Sequence, residues 1–435
     1  TAVAYDHRYG GDLITPLAHL HRAGVIELIT TAATHAYLPL LAEDPASVRA
    51  QITLGIATFE RLTGIRPRGF WLPECGYYPG LEAPLAACGI DYCLLETHGL
   101  TGATPAPRHG GAMPARCANG VAVLARDPAT SAQVWSRTEG YPGAPDYREF
   151  HRDIGFDLPR ERLAPVRDAD DPPGFTGLKY HRITGATEAK ALYRPEVAAQ
   201  RVARDAAHFV HSCRGRAAAA RAGSAPAPLL VSPYDAELFG HWWYEGVDWL
   251  EAVLGQLAAP GAAEVLSLTT PTRYLAAHGE ALQTLAPALS SWGEGGYHAV
   301  WLNPRNDWIQ PALQAAGQRM RVLAREFADV DAAGWRARAL RQAVCSLVLA
   351  QASDWPFMLH TGSGADYARG RVEAHLARFR FLDQALGRGE LAPADLQALE
   401  QVQPIFPEAG PALYADAPGS ALSFNPEEVS RPCMS

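Results

Sequence analysis

Two stretches of this chain share a design that restricts the folds open to it. "GFWLPECGYYPG" (Gly69 to Gly80) and "APLLVSPYDAELFGHWW" (Ala227 to Trp243) each run an apolar segment into proline, then set a carboxylate among aromatic rings. Acids at strand ends belong to strand–helix alternation, and much of the chain reads that way. "VIELITT" (Val25 to Thr31) predicts a strand, Ser47 to Gly64 a helix with a glycine stop, "GFWL" a strand, "LEAPLAACG" a helix, and Ile90 to Thr97 a third strand. A long loop follows from His98 to about Asn119, and "YRPEVAAQRV" opens a helix with Pro195 in its first turn.

Such alternation implies an α/β fold, with a parallel sheet and helices around it. In closed βα barrels the working residues sit where strands end, which is where Glu74 and Asp235 fall. Residues from about Phe156 to Gly174 form a Pro- and Asp-rich insertion. From about Leu285 periodic helical patterns dominate, which predicts a C-terminal helical domain.

The 435 residues, 48% hydrophobic and 19% charged, can bury a large core. A net charge of −8 argues against a nucleic-acid partner, which needs a basic face. No run approaches the roughly 20 apolar residues of a membrane helix, so no membrane partner is expected. The opening "TAVAYDHRYGG" lacks the segments of a signal peptide, and the seven cysteines show no Cys-x-x-Cys spacing. Both points lead to an expectation of reduced, mostly buried thiols in a cytoplasmic protein, with Cys433 among them.

Two strand-end acids ringed by Trp and Tyr suit glycoside chemistry. One carboxyl attacks or activates water while the other protonates the leaving oxygen, and aromatic neighbours both desolvate a carboxyl and stack on sugar faces. The plainer reading is that Asp235 caps a turn, with Leu238 opening the helix. Trp242, Trp243 and Trp249 cluster after Asp235, beside His241. Trp292 and Trp301 flank a glycine-rich loop, and "ASDWPFM" adds Asp354 and Trp355. Trp249 and Trp335 are expected in the core, while Trp292, beside glycines that offer it nothing to pack on, is expected at a cleft. His35 follows a strand on the same presumed face. A metal site would have to recruit His35, Asp235 and His241, but no close ligand spacing backs it. No glycine-rich phosphate loop is present, so neither cofactor nor metal is expected.

"FWLPECGYYPG", "YDAELFGHWWYEG", "THAYLPLL" and "SSWGEGGYHAVW" closely resemble motifs of glycoside hydrolase family 57, nearest to its 1,4-α-glucan branching enzymes. The resemblance runs over nearly the whole chain. It implies an incomplete (β/α)7 barrel with a small inserted subdomain at about 98–175, a catalytic part at 1–284, and a C-terminal helical domain at 285–435 contributing to the glucan groove. It makes Glu74 the nucleophile and Asp235 the general acid/base of a retaining mechanism, with the two carboxyls about 5–5.5 Å apart. His35 would contact the sugar. Trp135, Trp292 and Trp301 match groove positions, as do Arg126, Asp354 and Trp355, and His241 and Trp243 join them as substrate contacts.

Two departures from the family pattern shape the expectation. No His-x-His-Leu-Pro-type motif precedes His35, so the first strand is expected to be missing and activity to be weak. The loop "HGLTGATPAPRHGG" (His98 to Gly111) carries no tyrosine; Arg108 or His109 would take its tip. The missing tyrosine weakens branching relative to hydrolysis or α-1,4 transfer, but the resemblance as a whole still implies a 1,4-α-glucan branching enzyme, a glycosyltransferase acting on a glycogen-like α-1,4-glucan. The alternatives are a 4-α-glucanotransferase or α-amylase-type hydrolase of the same fold, or a silent glucan-binding fragment. A metal-dependent sugar deacetylase is a more remote third.

Overall fold

The computed structural model describes residues 3–136, 139–164, 174–221, 227–261 and 266–415. They divide into two compact units, one of Thr1–Ala23, Leu28–Ile90 and Ser291–Ser435, the other of Gly24–Glu27 and Asp91–Ser290. Part of the expected insertion, residues 165–173, lies outside the described residues, as does Cys433.

In the first unit, strand Thr30–Thr31 pairs in parallel with strand Gly69–Trp71, Thr31 opposite Trp71. The strand expected over Val25 to Thr31 is thus reduced to its last two residues. Helix Pro45–Thr63 has proline in its first turn and stops at Gly64, whose φ of 64° is the left-handed closure that glycine adopts without a Cβ penalty. It lies tightly on the strand because Gly55 has no side chain: a Cβ there would stand 2.2 Å from the Thr31 carbonyl oxygen.

The same helix sends Ala46, Ala50 and Leu54 into one core with Met320, Val344 and Phe379 from the helices Ile309–Glu326, Trp335–Ala350 and Ala365–Arg388. Each large aliphatic residue fully buried there contributes roughly 1.5–3 kcal/mol. This shared core explains why the units depart from the expected division at residue 284. The C-terminal helices supply most of this core and close it over the helix that precedes Glu74.

In the second unit, strands Tyr92–Leu95 and Ala122–Ala125 pair in parallel, and every residue of both is buried. Their unbroken apolar runs have that cause: both faces are covered. Strand Ala115–Arg116, inside the expected long loop, runs antiparallel to Ala122–Ala125, so the sheet is mixed. The loop also holds the short helix Thr97–Thr101. The expected strand before Asp235 is not assigned as one; its Val231 carbonyl accepts from Asp127 N–H at 2.7 Å. Helices Pro195–Arg221 and Gly246–Ala258 enclose Phe209 and Trp249, the latter a core residue as expected. Trp335 is partly buried against the other unit's core.

The six described cysteines are free thiols, five buried and Cys88 partly so. Among the described residues no helix is long and apolar enough to cross a membrane.

Candidate active site

Strand Gly69–Trp71 runs through Leu72 into a tight turn at Pro73–Cys75. Within it Glu74 has φ 60° and Cys75 φ 50°, two successive L-residues in the left-handed region. Such conformations cost on the order of 1–3 kcal/mol each and persist only where surroundings impose them. Here the chain is pinned by Cys75 N–H to the Leu72 carbonyl and by Gly76 N–H to the Pro73 carbonyl, both at 2.9 Å. Gly76 must be glycine, since a Cβ would lie 2.5 Å from the Tyr37 ring.

The Glu74 carboxylate is held at both oxygens. Trp292 Nε1 donates to Oε2 at 2.7 Å and Ser353 Oγ donates to Oε1 at 2.8 Å. His35 Nδ1 stands 3.8 Å from Oε1, with the Glu74 side chain 15% exposed and that of His35 37%. His35 Nδ1 is hydrogen-bonded to Ser353 Oγ at 2.9 Å. A carboxylate that accepts a hydrogen bond at each oxygen is held in a fixed plane, a geometry compatible with a nucleophile or an electrostatic stabiliser.

Three remote segments meet to build this. His35, itself at φ 53°, is joined to the other loop by an Ala36–Ala352 bridge and by Ser353 N–H donating to the His35 carbonyl at 3.2 Å. Behind them, buried Gln51 donates to Gln351 Oε1 at 2.8 Å and accepts from Thr34 N–H at 3.1 Å; Gln351 in turn donates to Ser47 Oγ at 3.0 Å. A fully paired polar network of this kind fixes loop geometry that apolar packing alone would leave loose.

Tyr37 hydrogen-bonds His298 Nδ1 at 2.9 Å and stacks on Trp301 with centroids 4.2 Å apart. Burial pushes its phenol well above the ordinary tyrosine range; a Ser291 hydrogen bond opposes this and the Glu74 charge adds to it. Burial also lowers the His298 pKa, so the hydrogen bond joins the Tyr37 phenol to a neutral imidazole.

Trp292 is half-buried, its ring 5.3 Å from Trp71, and its polar edge rather than its face meets Glu74. Trp301 is 1% exposed and backs Tyr37, so its expected place on the groove surface is corrected to a supporting one. Asp354 is exposed and opens helix Asp354–Thr361; Trp355 turns into the helical core, where its Nε1 donates to the Leu349 carbonyl at 2.7 Å.

In the second unit, Asp235 is half-buried at the cap position of the turn Ala236–Leu238, with no side-chain cap bond. The helix proper starts at Gly246, eight residues beyond Leu238, because the aromatic cluster intervenes. Trp243 is 1% exposed, packed on Tyr147 and Trp249, and offers no face to a ligand; the expectation of a sugar contact there is corrected. Its neighbour Trp242 is 47% exposed, edge-on to half-buried Trp135 at 6.4 Å. His241 is exposed, 5.3 Å from Phe150, and Arg126 pairs with Glu96 at 2.6 Å. Arg108 and His109 are exposed in their loop. Among the described residues no group of three or more His, Cys, Asp or Glu side chains is arranged to hold a metal ion.

The model of glycosyl hydrolase family 57 matches residues 1–280. The chain belongs to that family. Within family 57, residues 312–414 also match the C-terminal region of 1,4-alpha-glucan branching enzyme. The chain is 33% identical to 1,4-alpha-glucan branching enzyme TK1436 of Thermococcus kodakarensis, the match covering 98% of this chain and 63% of that protein. It is 32% identical to the probable 1,4-alpha-glucan branching enzyme Rv3031 of Mycobacterium tuberculosis, over 88% of this chain and 68% of that one. Among solved structures, the alpha-amylase AmyC from Thermotoga maritima superimposes with TM-score 0.87 at 36% identity, covering 95% of this chain and 77% of that chain. The TK1436 crystal structure, with glucose bound, gives 0.84 at 31%, covering 95% and 76%. This family 57 chain thus spans somewhat less than two thirds of TK1436's length.

Proposed function

We propose that this chain is a retaining, α-1,4-glucan-active enzyme that forms α-1,6 branches in a glycogen-like polymer of the cytoplasm. The observation that carries the reading is the Glu74 carboxylate, fixed at the strand end by Trp292 and Ser353 with both oxygens accepting. The match to a branching enzyme over 98% of the chain and the branching-enzyme C-terminal match at residues 312–414 support the choice of acceptor.

Asp235 passes its proton to the glycosidic oxygen as the bond from that oxygen to the anomeric carbon breaks. A Glu74 oxygen forms a bond to the same carbon, giving a covalent glucosyl ester. Asp235, now a carboxylate, takes the proton of the 6-hydroxyl of a second glucan chain. That oxygen displaces Glu74, which leaves as a free carboxylate. His35 meets a sugar hydroxyl, Trp135 and Trp242 stack on glucose faces, and Trp292 holds the nucleophile.

A hydrolytic reading is favoured by the AmyC alpha-amylase structure, which at 36% identity is more similar in sequence than the TK1436 structure at 31%. The loop His98 to Gly111, which lacks a tyrosine, points the same way. With water as acceptor the product is a shortened chain. The purified protein incubated with amylose separates the two readings. Branching gives loss of iodine stain, steady reducing ends and new short chains after debranching; rising reducing ends without new branches would refute it. Glu74→Ala should abolish turnover and regain some with azide on an activated donor, as a lost carboxylate nucleophile does.

A further inference from the structure

We infer that Ser353 is the positioning residue of this site: one hydroxyl both orients the nucleophilic oxygen of Glu74 and sets the tautomer of His35. The inference rests on the reading of Glu74 as nucleophile.

Ser353 Oγ lies 2.8 Å from Glu74 Oε1 and 2.9 Å from His35 Nδ1, and its residue is 1% exposed. A serine hydroxyl carries a single proton. The Glu74 carboxylate has none to give, so the serine proton goes to Oε1. Only a lone pair then remains toward His35, and Nδ1 must carry the hydrogen that fills it. Neutral imidazole has one N–H, so His35 holds it at Nδ1 and presents Nε2 as an acceptor. Histidine in water prefers the opposite tautomer, so the preference is imposed here. The direct separation of His35 Nδ1 from Oε1, 3.8 Å, is too long for a hydrogen bond, and the serine is therefore the link.

The backbone holds this link in place. Ser353 N–H donates to the His35 carbonyl, and the Ala36–Ala352 bridge aligns the two loops, so the hydroxyl cannot drift from either partner. The consequence for substrate is specific. His35 accepts from a sugar hydroxyl instead of donating to one, and a substrate lacking that hydroxyl loses the contact.

The test compares Ser353→Ala with Ser353→Thr, which keeps the hydroxyl, in the full chain with ¹⁵N-labelled histidine. Wild type should show His35 protonated at Nδ1, with the resonance assigned by its loss in His35→Gln. Ser353→Ala should move it to the Nε2–H form and lower kcat roughly 10–100-fold with KM within about twofold, the loss expected for one hydrogen bond to a charged group. Ser353→Thr should keep the tautomer and recover most of kcat. An unchanged tautomer in Ser353→Ala, or a kcat within twofold of wild type, overturns the inference. The ¹⁵N readout needs no turnover. It therefore tests Ser353 separately from the nucleophile, whose failure would show as an undiminished rate in Glu74→Ala.

Discussion

Trp292 grips Glu74 twice: its indole Nε1 donates to Oε2 at 2.7 Å and its backbone amide donates to the Glu74 carbonyl at 3.0 Å. The residue after it has to be glycine, because a Cβ at Gly293 would fall 2.6 Å from the Trp301 ring. The glycine-rich loop is therefore a clasp closed on the strand-end acid, backed by Trp301 and Tyr37.

Trp292→Phe keeps a ring and removes only the N–H. It should lower kcat roughly 10–100-fold, the range for losing one hydrogen bond to a charged acceptor, with little change in KM. Steady-state kinetics on amylose measure this; an equal rise in KM with kcat intact would show that the ring, not the N–H, is what matters.

The two adjacent tryptophans should separate binding from stability. Trp242→Ala is expected to weaken long-glucan binding by about 0.5–1.5 kcal/mol, the contribution of one stacked ring, and to leave Tm nearly unchanged. Trp243→Ala opens a cavity beside Tyr147 and Trp249 and should destabilise the fold by about 3–5 kcal/mol. Affinity electrophoresis in glycogen and thermal melts distinguish the pair.

Gln51 tests the polar network behind the site. Gln51→Leu leaves buried Gln351 Oε1 and the Thr34 N–H without their partner. A loss of about 1–3 kcal/mol is expected for each group so stranded. Turnover should fall along with stability, because the His35 and Ser353 loops hang on this network. Denaturant titration and kcat on the same variant check both.

His375 supplies a pH dependence. Burial, with Arg371 and Arg378 beside it, lowers its pKa to about 4, while Gln403 and Arg371 hydrogen-bond its ring nitrogens. Between that value and the unfolded value near 6.5, the unfolded state binds the proton that the folded state refuses. Stability is therefore full above about pH 6.5 and falls as pH drops toward 4, by roughly 3 kcal/mol in all. Replacing the residue, as His375→Gln, should flatten that part of the stability profile. Unfolding free energies from pH 4 to 7 for both proteins provide the comparison.

Part of the site was readable without coordinates. Glu74 and Asp235 stand out because an acid after an apolar run and a proline is a local pattern, contained in a dozen residues. Ser353 directly precedes Asp354 and Trp355, but no local signal separates its hydroxyl from any other. Trp242 and Trp243 have the same identity and the same neighbours, so nothing in the string says which is buried. Tyr37 and His298 are partners only because two distant loops meet.

By itself the sequence determined the family motifs, the strand-end position of Glu74 and the helices, including the Gly64 stop, since these follow from short-range periodicity and backbone chemistry. Tertiary structure alone decided that residues 291–415 share a core with Leu54, that Trp243 and Trp301 are packing while Trp242 faces solvent, and that Ser353 lies between His35 and Glu74. The physical reason is common to all three. Each depends on contacts between segments far apart in the chain, and those are settled by how apolar surface and buried hydrogen bonds are jointly satisfied, not by any residue's neighbours in sequence.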